Sequence, residues 1–108
     1  MQIKRGSVYW VDLDPTRGSE IKKERPCVVF GVDPINEARR TVVIIPLSKS
    51  AASRPPLVVS VACGKEKAVA VIDQIRAVDK SRLTNKICDL TYDEMQAIED
   101  GVRVVLGL

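Results

Sequence analysis

A chain of 108 residues with 45% hydrophobic content is long enough for one compact core and too short for two, so residues 1–108 are expected to form a single domain. Lysine and arginine outnumber aspartate and glutamate 17 to 14, histidine is absent, and the three cysteines lack a metal-like spacing, which argues against a zinc centre and against histidine chemistry. The charge is uneven, with 16 basic and 10 acidic residues up to Leu90 and 1 and 4 from Thr91 onward. A basic body concentrates polyanions and releases counterions on contact, although an ordinary solvated surface has the same balance. The N-terminus has no apolar signal region and no run approaches the roughly 18 apolar residues of a membrane span, so a soluble, cytoplasmic protein without a membrane partner is expected.

Residues 7–13 (SVYWVDL) alternate as a half-buried strand, with Val8, Trp10 and Asp12 on one face and Tyr9, Val11 and Leu13 on the other. Asp14-Pro15 and Gly18 break it, because proline fixes φ and pushes its predecessor out of the helical region. Residues 16–25 follow as a charged loop with Ile21 as its single large apolar residue. A second strand is predicted over 26–32 (PCVVFGV), then a charged turn in DPINEARR, then a third strand over 41–47 (TVVIIPL) in which Pro46 belongs near a strand end or at an edge. A small-residue polar loop, 48–56, leads to a fourth strand over 57–63.

The turn Gly64-Lys65-Glu66-Lys67 precedes a fifth strand over 68–72, with 75–78 as its continuation after a kink. DKSRLTNK is a single helical turn or an irregular connector, and 87–90 a short last strand. Thr91 and Glu94 form a capping box, Leu90 and Met95 a hydrophobic staple, and Met95, Ile98, Val102 and Val105 recur at helical spacing, so 91–107 is predicted as a helix closed by Gly107. Gly101 inside it costs about 1 kcal/mol relative to alanine and points to close packing. Cys27 and Cys63 lie in apolar runs and read as buried free thiols. Short strands followed by a helix, without βαβ spacing, indicate a mostly β fold: a small barrel of about five to seven mainly antiparallel strands with a C-terminal helix.

Polar candidates lie on the two loops and strand ends: Arg17, Glu20, Lys22, Lys23 and Arg25 in the first loop, Ser48, Lys49 and Arg54 in the second, and Asp73, Gln74 and Arg76 after the fifth strand. No phosphate loop, GxSxG or HExxH pattern is present. Read singly, Arg25 is a strand-edge salt bridge, Ser48 a turn residue, Asp73 and Gln74 strand-end polar groups, and Trp10 a core or interface residue.

Gly6, the aromatic strand, DLDPTRGSE, Arg25-Pro26, TVVIIPLS, the run DQIRAVDKSRL and the closing Leu106-Gly107-Leu108 resemble, in that order, the MazF/PemK-type toxins of toxin-antitoxin systems. The resemblance spans essentially the whole chain. It implies an SH3-like, CcdB/PemK-like fold and a metal-independent, cofactor-free, sequence-specific endoribonuclease. Such an enzyme cuts single-stranded RNA, works as a homodimer and is held inactive by a cognate antitoxin. The family's arginine before proline falls on Arg25 and its hydroxyl after the third strand on Ser48.

A guanidinium grips phosphate oxygens through paired bonds and stays charged, which suits Arg25 to charge developing at phosphorus. The 2′-hydroxyl would attack, so RNA but not DNA is cut. Glu20 is the preferred general base and Asp73 the second, each needing a raised pKa. Arg17, Lys49, Asp73, Gln74 and Arg76 are expected to bind the RNA. Some relatives carry a basic residue two positions before the DQ pair, where this chain has Val71, which weakens an acid role there. A gyrase-binding toxin resembling CcdB is the alternative, and the retained Arg25 and Ser48 count against it.

Overall fold

The computed structural model describes residues 2–13, 24–49, 54 and 58–108. In chain order the elements are β1 (Ser7–Asp12), β2 (Glu24–Val29), α1 (Asp33–Ala38), β3 (Thr41–Ser48), β4 (Val58–Cys63), β5 (Glu66–Val71), β6 (Arg76–Asp79), β7 (Leu83–Asp89) and α2 (Tyr92–Leu106). Short 3-10 turns, Ile72–Gln74 and Lys80–Arg82, flank β6. The strands form a seven-stranded antiparallel sheet in the order β4-β5-β3-β2-β1-β7, with β6 also on β3.

β3 is the hub because it is the most apolar strand and is shared among three partners. Val42 faces Val78 of β6, Ile45 faces Val28 of β2, and Leu47 faces Ala70 of β5. Pro46 falls between the β6 pairing, which ends at Ile44, and the β5 pairing, which begins at Leu47. Its missing N–H therefore sits at a break in the ladder on that edge. β5 and β6 are one path kinked by Ile72–Gln74, as the sequence led one to expect.

The sheet is buried on both faces, which the alternation in β1 did not foretell. Val8, Val28, Ile45 and Leu47 pack with Ile98 and Val102 of α2 in one core. Tyr9, Val11, Cys27, Val29, Val42 and Ile44 fill a second core with Ile3 and Leu83. Trp10, on the Val8 side of β1, is 38% exposed, so that face runs from core to open surface within one strand.

α2 forms where predicted. The Thr91 hydroxyl accepts from the Glu94 amide at 3.2 Å while the Glu94 carboxylate accepts from the Thr91 amide at 2.8 Å, and Gly107 caps the far end at φ 71. The Glu94 carboxylate also accepts from the Ala62 amide at 2.6 Å, tying α2 to β4. Gly101 is buried, as its cost in a helix required. Gly6 takes φ 92 and its backbone bonds both Val29 and Leu90, so the chain turns into β1 while joining β2 to the start of α2. Among the described residues, no helix is long and apolar enough to cross a membrane.

Four expectations change. DPINEA is a helix, α1, because Pro34 at its first turn has no N–H to lose and its φ suits helical entry. The second strand begins at Glu24 and ends at Val29, so Arg25 lies on a strand and not in the loop before it. β7 runs over Leu83–Asp89, far longer than the short strand read at 87–90. Cys63 is not a free thiol: it is bonded to Cys88, 25 residues away, with Cα atoms 5.8 Å apart. Cys27 remains free and buried, and burial pushes its thiol up to about 12 against the pull of Arg25 and Arg76.

Candidate functional site

β2 and β3 run antiparallel with Cys27 facing Pro46, and continuing that register sets Arg25 across from Ser48 at the open end of the ladder. Both residues line one cavity of about 670 Å³. Glu24, Pro26 and Trp10 form one wall, Trp10 lying opposite Pro26 in the β1–β2 ladder. The facing wall is the β4–β5 hairpin, which contributes Cys63, Glu66 and Ala68, and Ile87 of β7 closes the end. Leu47 and Lys49 flank Ser48.

The sequence dictates this arrangement locally. Pro26 and Cys27 continue β2 into the core, which leaves Arg25 as an exposed side chain just beyond the buried part of the strand. Ser48 is the last residue of β3 and faces Val69 of β5, so its hydroxyl sits where the core ends. Lys49 pairs with Glu66, and Ser48 and Lys49 also border a second cavity of about 550 Å³ with Ser60, Lys67 and Glu94. Arg25, Ser48 and Lys49, the last ion-paired to Glu66, therefore border one apolar-walled groove that also exposes Trp10, a surface chemically suited to an anion and to flat rings.

Other expected residues are placed elsewhere. Asp73 and Gln74 lie on an exposed 3-10 turn, and Arg76 opens β6 opposite Ile44; none of the three lines the groove. Arg76 lies close enough to Cys27 to draw its thiol pKa down together with Arg25, so it flanks the same side of the sheet. Glu20, Arg17, Lys22 and Lys23 are outside the described residues. Sequence reasoning missed Glu24, Glu66 and Ile87 as groove residues. Glu24 had a signal, being the residue beside Arg25; Glu66 and Ile87 had none, because the curl of the sheet brings them there. Among the described residues, no group of three His, Cys, Asp or Glu side chains is placed to hold a metal ion.

A curled antiparallel sheet with a C-terminal helix and a groove lined by Arg25 and Ser48 defines a small β domain of the toxin type. The chain belongs to the PemK-like, MazF-like toxin family of type II toxin-antitoxin systems, whose profile matches residues 4–106. It is 32% identical over 111 residues to the endoribonuclease MazF of Staphylococcus saprophyticus, covering 98% of this chain and 92% of that protein. In fold it is similar to MazF solved with MazE from Deinococcus radiodurans, at a TM-score of 0.87, 20% identity and coverage of 100% and 98% of the two chains. It is also similar to a mycobacterial endoribonuclease solved with its cognate antitoxin, at a TM-score of 0.83 and 22% identity, covering 97% of this chain and 95% of the other.

Proposed function

We propose that this chain is a sequence-specific endoribonuclease toxin that cuts single-stranded RNA without a bound metal and is neutralised by a cognate antitoxin. What supports the reading is that Arg25 and Ser48, distant in sequence, line one groove. The similarity to a staphylococcal endoribonuclease and to toxin–antitoxin complexes points the same way and favours it over a gyrase-binding toxin.

In this reading the 2′-oxygen of the substrate attacks the adjacent phosphorus, a 2′-O–P bond forms, and the P–O5′ bond breaks. The products are a 2′,3′-cyclic phosphate and a 5′-hydroxyl end, the leaving 5′-oxygen taking its proton from water. Arg25 holds the non-bridging oxygens as charge builds on them, and the Ser48 hydroxyl adds a neutral bond to the same phosphate. The 2′-hydroxyl proton goes to a carboxylate. Glu20 is the preferred acceptor from the family motif; Asp73, the second choice from the sequence, lies off the groove, and Glu24, which lines it beside Arg25, takes that second place. Lys49 follows the RNA backbone along the groove, with Arg17, Asp73, Gln74 and Arg76 reaching the flanking nucleotides. The toxin acts in the cytoplasm as a homodimer of residues 1–108, each copy one domain, and an antitoxin segment competes with RNA for the same groove.

The test is incubation of purified protein with a long RNA of many sequence contexts. Discrete cuts that survive EDTA, carry cyclic phosphate ends and disappear in Arg25→Ala are expected. Intact RNA from a preparation shown to be folded, or inhibition of DNA supercoiling in its place, overturns the reading. Arg25→Ala should lower kcat/KM by about 10²–10³-fold, the usual loss for one donor to a developing oxyanion.

A further inference from the structure

We propose that Cys63 and Cys88 act as a redox clasp that closes the curled sheet beside the groove, so that the oxidation state of the pair sets how tightly RNA is held. β4 and β7 stand at opposite ends of the sheet order, and among the described residues no ladder joins them. The disulfide is the covalent link between those two ends. Both partners sit at the groove. Cys63 lines it, and Cys88 follows Ile87, which closes its end.

Apart from that link, the β4–β5 hairpin that carries Cys63, Glu66 and Ala68 joins the rest of the sheet through a short ladder. Its ladder to the rest of the sheet consists of Leu47 facing Ala70 and Ser48 facing Val69. Its tip turns at Gly64, φ 66, and its other anchors include the apolar packing of Val59, Val61 and Ala70 in the first core, the exposed Lys49–Glu66 ion pair and the bond from the Ala62 amide to Glu94. One of the two pairings therefore contains Ser48 itself. Freeing the hairpin loosens one groove wall and the strand end bearing that hydroxyl, whereas Arg25 on β2 keeps its ladder to β1. Binding to a loosened wall must order it first, which weakens affinity without altering the bonds made at phosphorus.

Oxidation joins the two sulfurs as two S–H bonds are lost. Two electrons and two protons pass to a low-molecular-weight disulfide such as glutathione disulfide, which is cleaved to two thiols. Cys27 takes no part, because it is buried with its thiol pushed up to about 12, leaving almost no thiolate.

The RNA readout of this proposal rests on the endoribonuclease reading; its structural readout does not. Protein equilibrated in glutathione disulfide and in reduced glutathione is compared by amide hydrogen exchange over residues 58–71 and by the KM and kcat of RNA cleavage. Reduction should speed exchange in that hairpin and raise KM about five- to tenfold, with kcat within about twofold. Cys63→Ser and Cys88→Ser should each behave as reduced protein in both buffers, while Cys27→Ala keeps the response. Equal exchange in the two buffers, an unchanged KM, or a response that persists in Cys63→Ser overturns the clasp. If neither form cuts RNA, the endoribonuclease reading falls and hydrogen exchange alone decides the clasp.

Discussion

Glu94→Ala removes a carboxylate whose contacts can be counted. It accepts from the Thr91 amide at 2.8 Å, the Thr91 hydroxyl at 3.1 Å and, across the gap to β4, the Ala62 amide at 2.6 Å. Losing a cap of this kind costs about 1 kcal/mol. The bond to the strand is charge-assisted but partly solvated, and adds about 1 kcal/mol after discounting for screening. The sum, about 2 kcal/mol, corresponds to a fall in Tm of roughly 8–15 °C for a domain of this size. Thr91→Ala spares the Ala62 bond and should cost about half as much, so thermal and urea unfolding of the two variants separates cap from strand tie. If Glu94→Ala costs no more than Thr91→Ala, the strand tie contributes nothing and the reasoning fails.

Acid provides a second check on the same carboxylate. Partial burial pushes Glu94 up, but the Thr91 and Ala62 amides and the Thr91 hydroxyl outweigh it and leave the group below its ordinary value of 4.5. Stability from a depressed carboxylate is fully present above the ordinary value and is lost as pH falls through the lowered one. The stability gap between the wild type and Glu94→Gln should therefore be constant near neutrality and narrow below pH 4.5.

Three further outcomes are expected. Ser48→Thr keeps the hydroxyl and should retain most RNA cleavage, whereas Ser48→Ala should lose about tenfold in kcat/KM, the worth of one neutral bond of about 1.4 kcal/mol. Ile98→Ala empties a fully buried site between α2 and the sheet and should cost about 3 kcal/mol in urea unfolding with cleavage chemistry intact at low temperature. In native protein kept oxidised, Cys27 should resist alkylation by iodoacetamide over hours and react once unfolded, as counted by mass.

How much of this was readable from the sequence depends on how local each signal is. The helix was legible to the residue, because the Thr91–Glu94 box, the 98–102 spacing and Gly107 all act within a turn or two. β3 was legible as an unbroken apolar run. β7 was under-read because, as an edge strand whose ladder among the described residues is to β1, it exposes Thr84 to Ile87 and has no alternation to recognise. α1 was hidden by Asp33-Pro34, a pair that opens a helix as readily as a turn. Arg25 and Ser48 could be nominated through the family resemblance, but the groove they share depends on the β2–β3 register, and the Cys63–Cys88 pairing on the curl of the whole sheet. Neither is a property of any short window.

The β1–β7 ladder has a consequence for biosynthesis. β1 has the much later β7 as its outer neighbour, so the groove end at Ile87 and the helix that covers the first core join the sheet only after the intervening strands have been made. The groove therefore stays open at that end until β7 has paired with β1, a long-range pairing that local structure cannot replace. A chain terminated before Leu83 should accordingly leave RNA intact and lack the dispersed NMR spectrum of a folded protein; cleavage by such a fragment would show that closure by the last strand is dispensable.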